Sequence, residues 1–246
     1  MSIGSTTVRD SRNIEGTGFD VKAGIIFRPI DNSPFRIGLY VHTPTWYDLT
    51  TENYTTLANG TNIAGYKNGW STREAYDFKL YTPWKFGLSL GHTVGRNLAL
   101  GATYEYADYS NIDTRVNDGG YYDWWYDEYY STSSSDDVMN DHTEKTLKGV
   151  STLKLGLEYK PIDNFAVRMG YNYVSPMYKS DGYKDVSLDS YGTNYSTTTD
   201  YTNWKSTNRF TLGLGYTIDK FTIDFAYQYS AQKGDFHPFM DSYADY

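Results

Sequence analysis

The sequence predicts an all-β fold, an antiparallel transmembrane β-barrel, on three observations. Eight segments alternate apolar and polar residues with period two, the mark of a strand with two unlike faces. Short and long connections alternate between them, as in a barrel that crosses an outer membrane. Aromatic residues make up 18% of the 246, and 27 residues are tyrosine, whose apolar ring and polar tip suit strands and a membrane boundary. No apolar run approaches the roughly 18 residues of a helical span, whereas a spanning strand needs only about 9 to 11 residues, half of them facing lipid.

The strands come as four hairpins. In the first, Phe19, Val21, Ala23, Ile25 and Phe27 alternate with Asp20, Lys22, Gly24, Ile26 and Arg28. Asp31, Asn32, Ser33 and Pro34 form a turn, and Phe35, Ile37, Leu39 and Val41 return against Arg36, Gly38, Tyr40 and His42. A third strand is expected over 78–90, with Phe78, Leu80, Trp84, Phe86, Leu88 and Leu90 opposed by Lys79, Tyr81, Lys85, Gly87 and Ser89. Gly95, Arg96 and Asn97 turn it into Leu98, Leu100, Ala102, Tyr104 and Tyr106. The second half repeats the plan: Leu153 to Tyr159, a turn at 161–164, Phe165 to Tyr173, and then Phe210 to Ile218 and Phe221 to Tyr229 about a turn at Asp219 and Lys220.

Three segments, 49–73, 114–143 and 181–202, read as long polar loops on the rim opposite the short turns. Phe27, Phe35, Phe165 and Phe221 lie beside the short turns, while Tyr104, Tyr106, Tyr171, Tyr173, Tyr227 and Tyr229 lie toward the long loops, as two aromatic girdles would. Alternation alone leaves open which face is inside. The polar row is rich in glycine and alanine, which suits a crowded lumen, so the apolar row is expected to face lipid. Ser2 to Ile14 is polar and has no apolar signal-peptide core. Eight strands with the long loops outside would place both chain ends outside, whereas bacterial barrels have even strand numbers and generally periplasmic ends. Residues 1–246 are therefore expected to be a single partial barrel domain, with at least one early strand before residue 16 and at least one final strand after residue 236 absent.

Composition removes several function classes. Thirty acidic residues against 22 basic ones give a net charge of −8, without the basic face that nucleic acid requires. With no cysteine there is no disulfide framework or thiolate metal site. Only four histidines exist, none with zinc-ligand spacing, and no Gly-x-Ser-x-Gly elbow occurs. No catalytic residue and no cofactor are predicted.

Several runs resemble the FadL/OmpP1/TodX family of hydrophobic-compound transporters, its Bacteroidetes branch most closely. They are Gly16 to Leu49, including His42-Thr43-Pro44-Thr45-Trp46-Tyr47-Asp48, then Tyr81-Thr82-Pro83-Trp84-Lys85, Leu155 to Pro161, and Met169 to Tyr173. The resemblance covers about residues 16 to 239 and corresponds to the C-terminal portion of such a protein. It implies a barrel of about 14 strands with an N-terminal hatch, in the bacterial outer membrane. Such a barrel takes in long-chain fatty acids or similar hydrophobic molecules by diffusion and is expected to be monomeric.

Physical chemistry then nominates residues. An acyl chain with a carboxylate needs apolar surface along its route and a cation for its head. Arg36, His42, Lys79, Lys85 and Arg168 in the polar row are the candidate lumenal contacts, with Arg168 and Lys79 favoured as carboxylate partners. Within 114–143, Tyr122, Trp124, Trp125 and Tyr126 are candidates for ligand capture, interleaved with acids that raise calcium binding as an alternative. The competing reading is a surface binding protein, adhesin or receptor, that works through this aromatic acidic loop.

Overall fold

The computed structural model describes residues 6–59, 70–185, 188, 190 and 200–238. The chain enters as β1 (Thr6–Phe19), continues in line as β2 (Lys22–Phe27), and returns as β3 (Arg36–His42) and β4 (Trp46–Asn59). It comes back as β5 (Trp70–Tyr81) and β6 (Lys85–Val94), then runs out again as β7 (Leu98–Asp108) and β8 (Asp113–Asp123). The turn into β9 (Glu128–Ser135) leads to a helix, α1 (Asp137–Thr146), and to β10 (Gly149–Ile162), β11 (Phe165–Val174), β12 (Tyr201–Ile218) and β13 (Phe221–His237).

Two antiparallel sheets result. Eight strands form a meander in the order β2-β3-β6-β7-β10-β11-β12-β13, which are the eight expected strands with each paired to its expected neighbour. Five others, β1-β4-β5-β8-β9, form a second sheet that prolongs the first beyond the long-connection rim. Two expectations are corrected here. Segments 49–73 and 114–143 are not loops: their described parts are the arms of two hairpins and helix α1. The strand expected over 78–90 is two strands, broken at Thr82 to Trp84. Likewise the polar stretch before residue 15 pairs from Thr6 onward with β4. Most of 181–202 lies outside the described residues.

The break has a chemical cause. Proline has no N–H for a ladder, so Pro44 and Pro83 interrupt neighbouring strands at one level. Threonines satisfy backbone N–H groups that the interrupted ladder leaves at this level: Thr82 Oγ1 accepts from Thr45 N–H at 2.8 Å, and Thr43 Oγ1 accepts from Val21 N–H at 2.9 Å.

Among the described residues there is no apolar core. The buried apolar side chains are only Ala107, Val116, Val150 and Ala166. Those of the larger sheet, Ala107, Val150 and Ala166, sit in its polar row, as do buried Thr152 and Thr207. The apolar row is the outer one and stays uncovered: Ile25 is 64% exposed, Met169 55% and Phe225 62%. A water-soluble barrel would show the reverse.

Candidate functional site

The sheltered polar face of the eight-strand sheet is organised in rungs across the strands. At the Thr-Pro level, Lys22 of β2, His42 of β3 and Lys85 of β6 are register neighbours, which gathers three basic side chains on three adjacent strands. One rung further in, the Tyr40 hydroxyl donates to Glu105 Oε2 at 2.9 Å. It crosses β6 at Gly87, which lies in register between them and where a Cβ would sit inside the Tyr40 ring. The next rung joins the Ser89 and Thr103 hydroxyls at 3.0 Å. Beyond it Gly91, Gly101, Gly156 and Gly170 lie side by side on β6, β7, β10 and β11, with Arg36 opposite Gly91. The innermost rung is a charge cluster: Arg168 donates through Nε to Glu158 at 2.7 Å and through Nη1 to Asp224 at 2.7 Å, while Lys160 lies 3.3 Å from Glu158.

The predicted lumenal residues therefore divide into four groups. His42 and Lys85 come together, and Lys22 joins them although the sequence reading did not select it; its place in the alternation carried the signal. Arg36 lies two register pairs from Gly38 along β3, at the short-turn end. Arg168 is engaged by two carboxylates at once, so its guanidinium holds β10, β11 and β13 together. Lys79 is elsewhere: on β5 of the second sheet, facing Asp48 on β4 and Arg115 on β8. Tyr40 was also missed, because a tyrosine in a polar row gives no hint that its ring lies over a glycine.

Two open grooves of about 550 and 570 Å³ lie along the outer face, walled chiefly by the apolar row, Leu90, Leu100 and Leu155 in one and Ile25, Leu39 and Phe86 in the other. They are acyl-chain-sized furrows between ridges of side chains, lined also by the rung glycines Gly91, Gly101, Gly156 and Gly170 in one and by Gly87 in the other.

Above the break, Tyr122, Trp124, Trp125 and Tyr126 occupy the tip of the β8–β9 hairpin. Asp118 near its base accepts from Thr132 and Ser134, which hold its carboxyl below the usual range. Among the described residues no group of three or more His, Asp or Glu side chains is placed to hold a metal ion. Helix α1 sits beside this hairpin, capped by Asp136, which accepts from Met139 N–H at 3.1 Å and from the Ser190 hydroxyl at 2.6 Å. Asn140 pins the helix to β8 by accepting from Thr114 N–H and donating to Asp113. His142 meets the Tyr183 ring edge-on at 5.2 Å. Burial pushes the imidazole below its ordinary value of 6.5, and Asp185 opposes part of that shift.

With this geometry in view, the comparison with solved structures has a definite meaning. The TodX monoaromatic hydrocarbon channel, as its deltaS2 mutant, matches 87% of this chain with a TM-score of 0.50 and 15% sequence identity. The fold is that of the TodX barrel. This chain covers 44% of the TodX chain, less than half its length. Identity that low carries the strand course and not the ligand. No family model matches the chain, and no curated protein matches it.

Proposed function

We propose that the chain is part of the wall of a bacterial outer-membrane channel of the FadL type, through which hydrophobic small molecules diffuse inward without a chemical step. The observation that carries this reading is the inversion of the faces. An uncovered apolar belt surrounds a sheet whose charge pairs and hydrogen-bonded rungs lie inside, in a strand course shared with a hydrocarbon channel. Long-chain fatty acids are a suitable cargo, since Lys22, His42 and Lys85 would meet a carboxylate at the outer end of the lumen and Arg36 at the inner end. Edges β2 and β13 have no partner among the described residues. Open edges are not tolerated in lipid, which supports closure by further strands into a barrel of about 14, acting as a monomer.

The test is uptake by cells that express the parent protein, with radiolabelled oleate and toluene supplied separately. Uptake of either above the empty-vector level supports the channel, and the pair distinguishes a carboxylate cargo from a neutral one. If neither enters while the protein is folded in the outer membrane, the reading fails. The second reading, a surface binding protein, is favoured by one feature, the exposed tip at Trp124 and Trp125. Deleting 117–141 separates the two, because a channel keeps at least part of its uptake and a loop-based binder loses its ligand.

A further inference from the structure

β8 pairs with β5 only from Asp113 to Val116. Beyond that point β8 and β9 pair with each other alone, so residues 117–131 form a two-stranded finger, roughly 20 Å long at the usual strand rise, that no longer pairs with β5. An isolated two-stranded ribbon is marginal in water. This one also turns large rings to solvent: Trp124 is 87% exposed and Trp125 90%.

The tip is nevertheless built. Asp123 accepts from Trp125 N–H at 2.8 Å, the Tyr122 hydroxyl donates to Asp127, and the Tyr130 hydroxyl donates to Glu128 at 3.1 Å. Tyr121 stacks on Tyr130 across the ribbon at 5.5 Å, and Tyr122 meets Trp124 edge-on at 4.9 Å. These contacts fix the turn while both indoles point outward. The surrounding field has one sign. Four carboxylates and no basic residue lie between Asn117 and Ser131, and Asp108 to Lys148 contains ten acids against three bases, nearly the whole net charge of the chain.

We propose that this finger is a docking surface for a cationic protein segment, a lysine- or arginine-rich stretch of a partner, with Trp124 and Trp125 as the platforms on which its cations stack. Indole is the strongest cation–π acceptor among side chains, and aromatic anchors within a complementary field are the composition of a protein-binding hot spot. An anionic lipid surface would be repelled by the same carboxylates. A neutral glycan could stack on the rings but gains nothing from the charge. The inference stands apart from the channel reading, because the finger lies beyond the sheet that carries the lumenal rungs.

The experiment titrates the purified protein in detergent micelles against fluorescent hexa-arginine, read by anisotropy, beside the double variant Trp124→Ala/Trp125→Ala. That variant leaves every charge in place and alters two outward side chains. Its binding is expected to be weaker by about tenfold, from two exposed cation–π contacts, and Trp124→Tyr/Trp125→Tyr is expected to restore most of the loss. Equal binding by wild type and the alanine variant would overturn the proposal, because the field alone would then explain the affinity. A tryptophan emission shift with maltohexaose, without hexa-arginine binding, would overturn it in favour of a glycan platform. Binding of neither probe would also overturn it.

Discussion

Replacing Gly87 by alanine probes whether the lumenal rungs constrain the sequence. Tyr40 lies across Gly87 to reach Glu105, so a methyl group at position 87 must push the ring aside and break the 2.9 Å hydrogen bond. A hydrogen bond to a charged group contributes about 1.5–3 kcal/mol, which partial exposure reduces to about 1–2. Alanine in place of a strand glycine recovers about 0.5–1 kcal/mol, leaving a net loss of about 1 kcal/mol for Gly87→Ala. In a Tyr40→Ala background the clash and the bond are both gone, so the sign should reverse and the same substitution should stabilise by about 0.5–1 kcal/mol. Gly101→Ala is the internal control, since a Cβ there meets nothing within 4 Å. Urea unfolding in lipid vesicles, followed by tryptophan emission, measures the wild type, the two single variants at 40 and 87, their double variant and Gly101→Ala. The reasoning is refuted if Gly87→Ala is as stable as wild type, or if its effect is the same with and without Tyr40.

Three further outcomes are expected. A single cysteine at Leu155 should react with a lipid-soluble maleimide and one at Lys154 with a membrane-impermeant reagent, because the two positions lie on opposite faces; the reverse pattern would invert the barrel. Arg168→Met should lower stability only slightly, since its two ion pairs are half exposed, and high salt should shrink that loss; a loss of oleate uptake at unchanged stability would instead make Arg168 a substrate contact. Because the folded pKa of His142 is depressed, its contribution to holding α1 is present above the ordinary value of 6.5 and is lost as pH falls through the folded value. Hydrogen-exchange protection of Asp137–Thr146, corrected for intrinsic rates, should therefore drop on acidification in wild type and stay flat in His142→Phe.

How legible the fold was depended on the solvent on each side of the strand. The eight strands of the larger sheet face apolar surroundings on one side and a polar interior on the other, so the alternation is strong and their order follows from the turns. In the second sheet both faces are polar. β4 buries Thr51, Asn53 and Thr55, and β9 reads Glu128-Tyr-Tyr-Ser-Thr-Ser-Ser-Ser, so period-two hydrophobicity has nothing to report there and composition alone suggests loop. The lumenal candidates were half legible for a related reason. Alternation assigns a residue to a face but not to a rung, so it grouped Lys79 with Lys85 although a proline break separates them. It puts Glu158 and Asp224 on the same face as Arg168 but does not show that both carboxylates hold this one guanidinium, Asp224 from 56 residues away.

The Thr-Pro breaks tie these two regimes together. Ladder hydrogen bonds are most valuable where no water competes for the backbone, so proline within an apolar belt would leave partners unsatisfied. At its edge, a threonine hydroxyl or water can take their place. Pro44 and Pro83 sit at such a level, with Thr43 and Thr82 supplying the substitute bonds. Exposed Trp46 and Trp84 stack near them, on Phe19 at 6.1 Å and on Phe86 at 6.4 Å, as interfacial aromatics do. The breaks thus mark the outer edge of the apolar belt. They place Lys22, His42 and Lys85 just beneath it, where, in the channel proposed above, a molecule leaving water would first meet charge on the inner wall. The finger that carries Trp124 and Trp125 stands well above that edge, so the proposed docking and the proposed passage draw on different residues of the same chain.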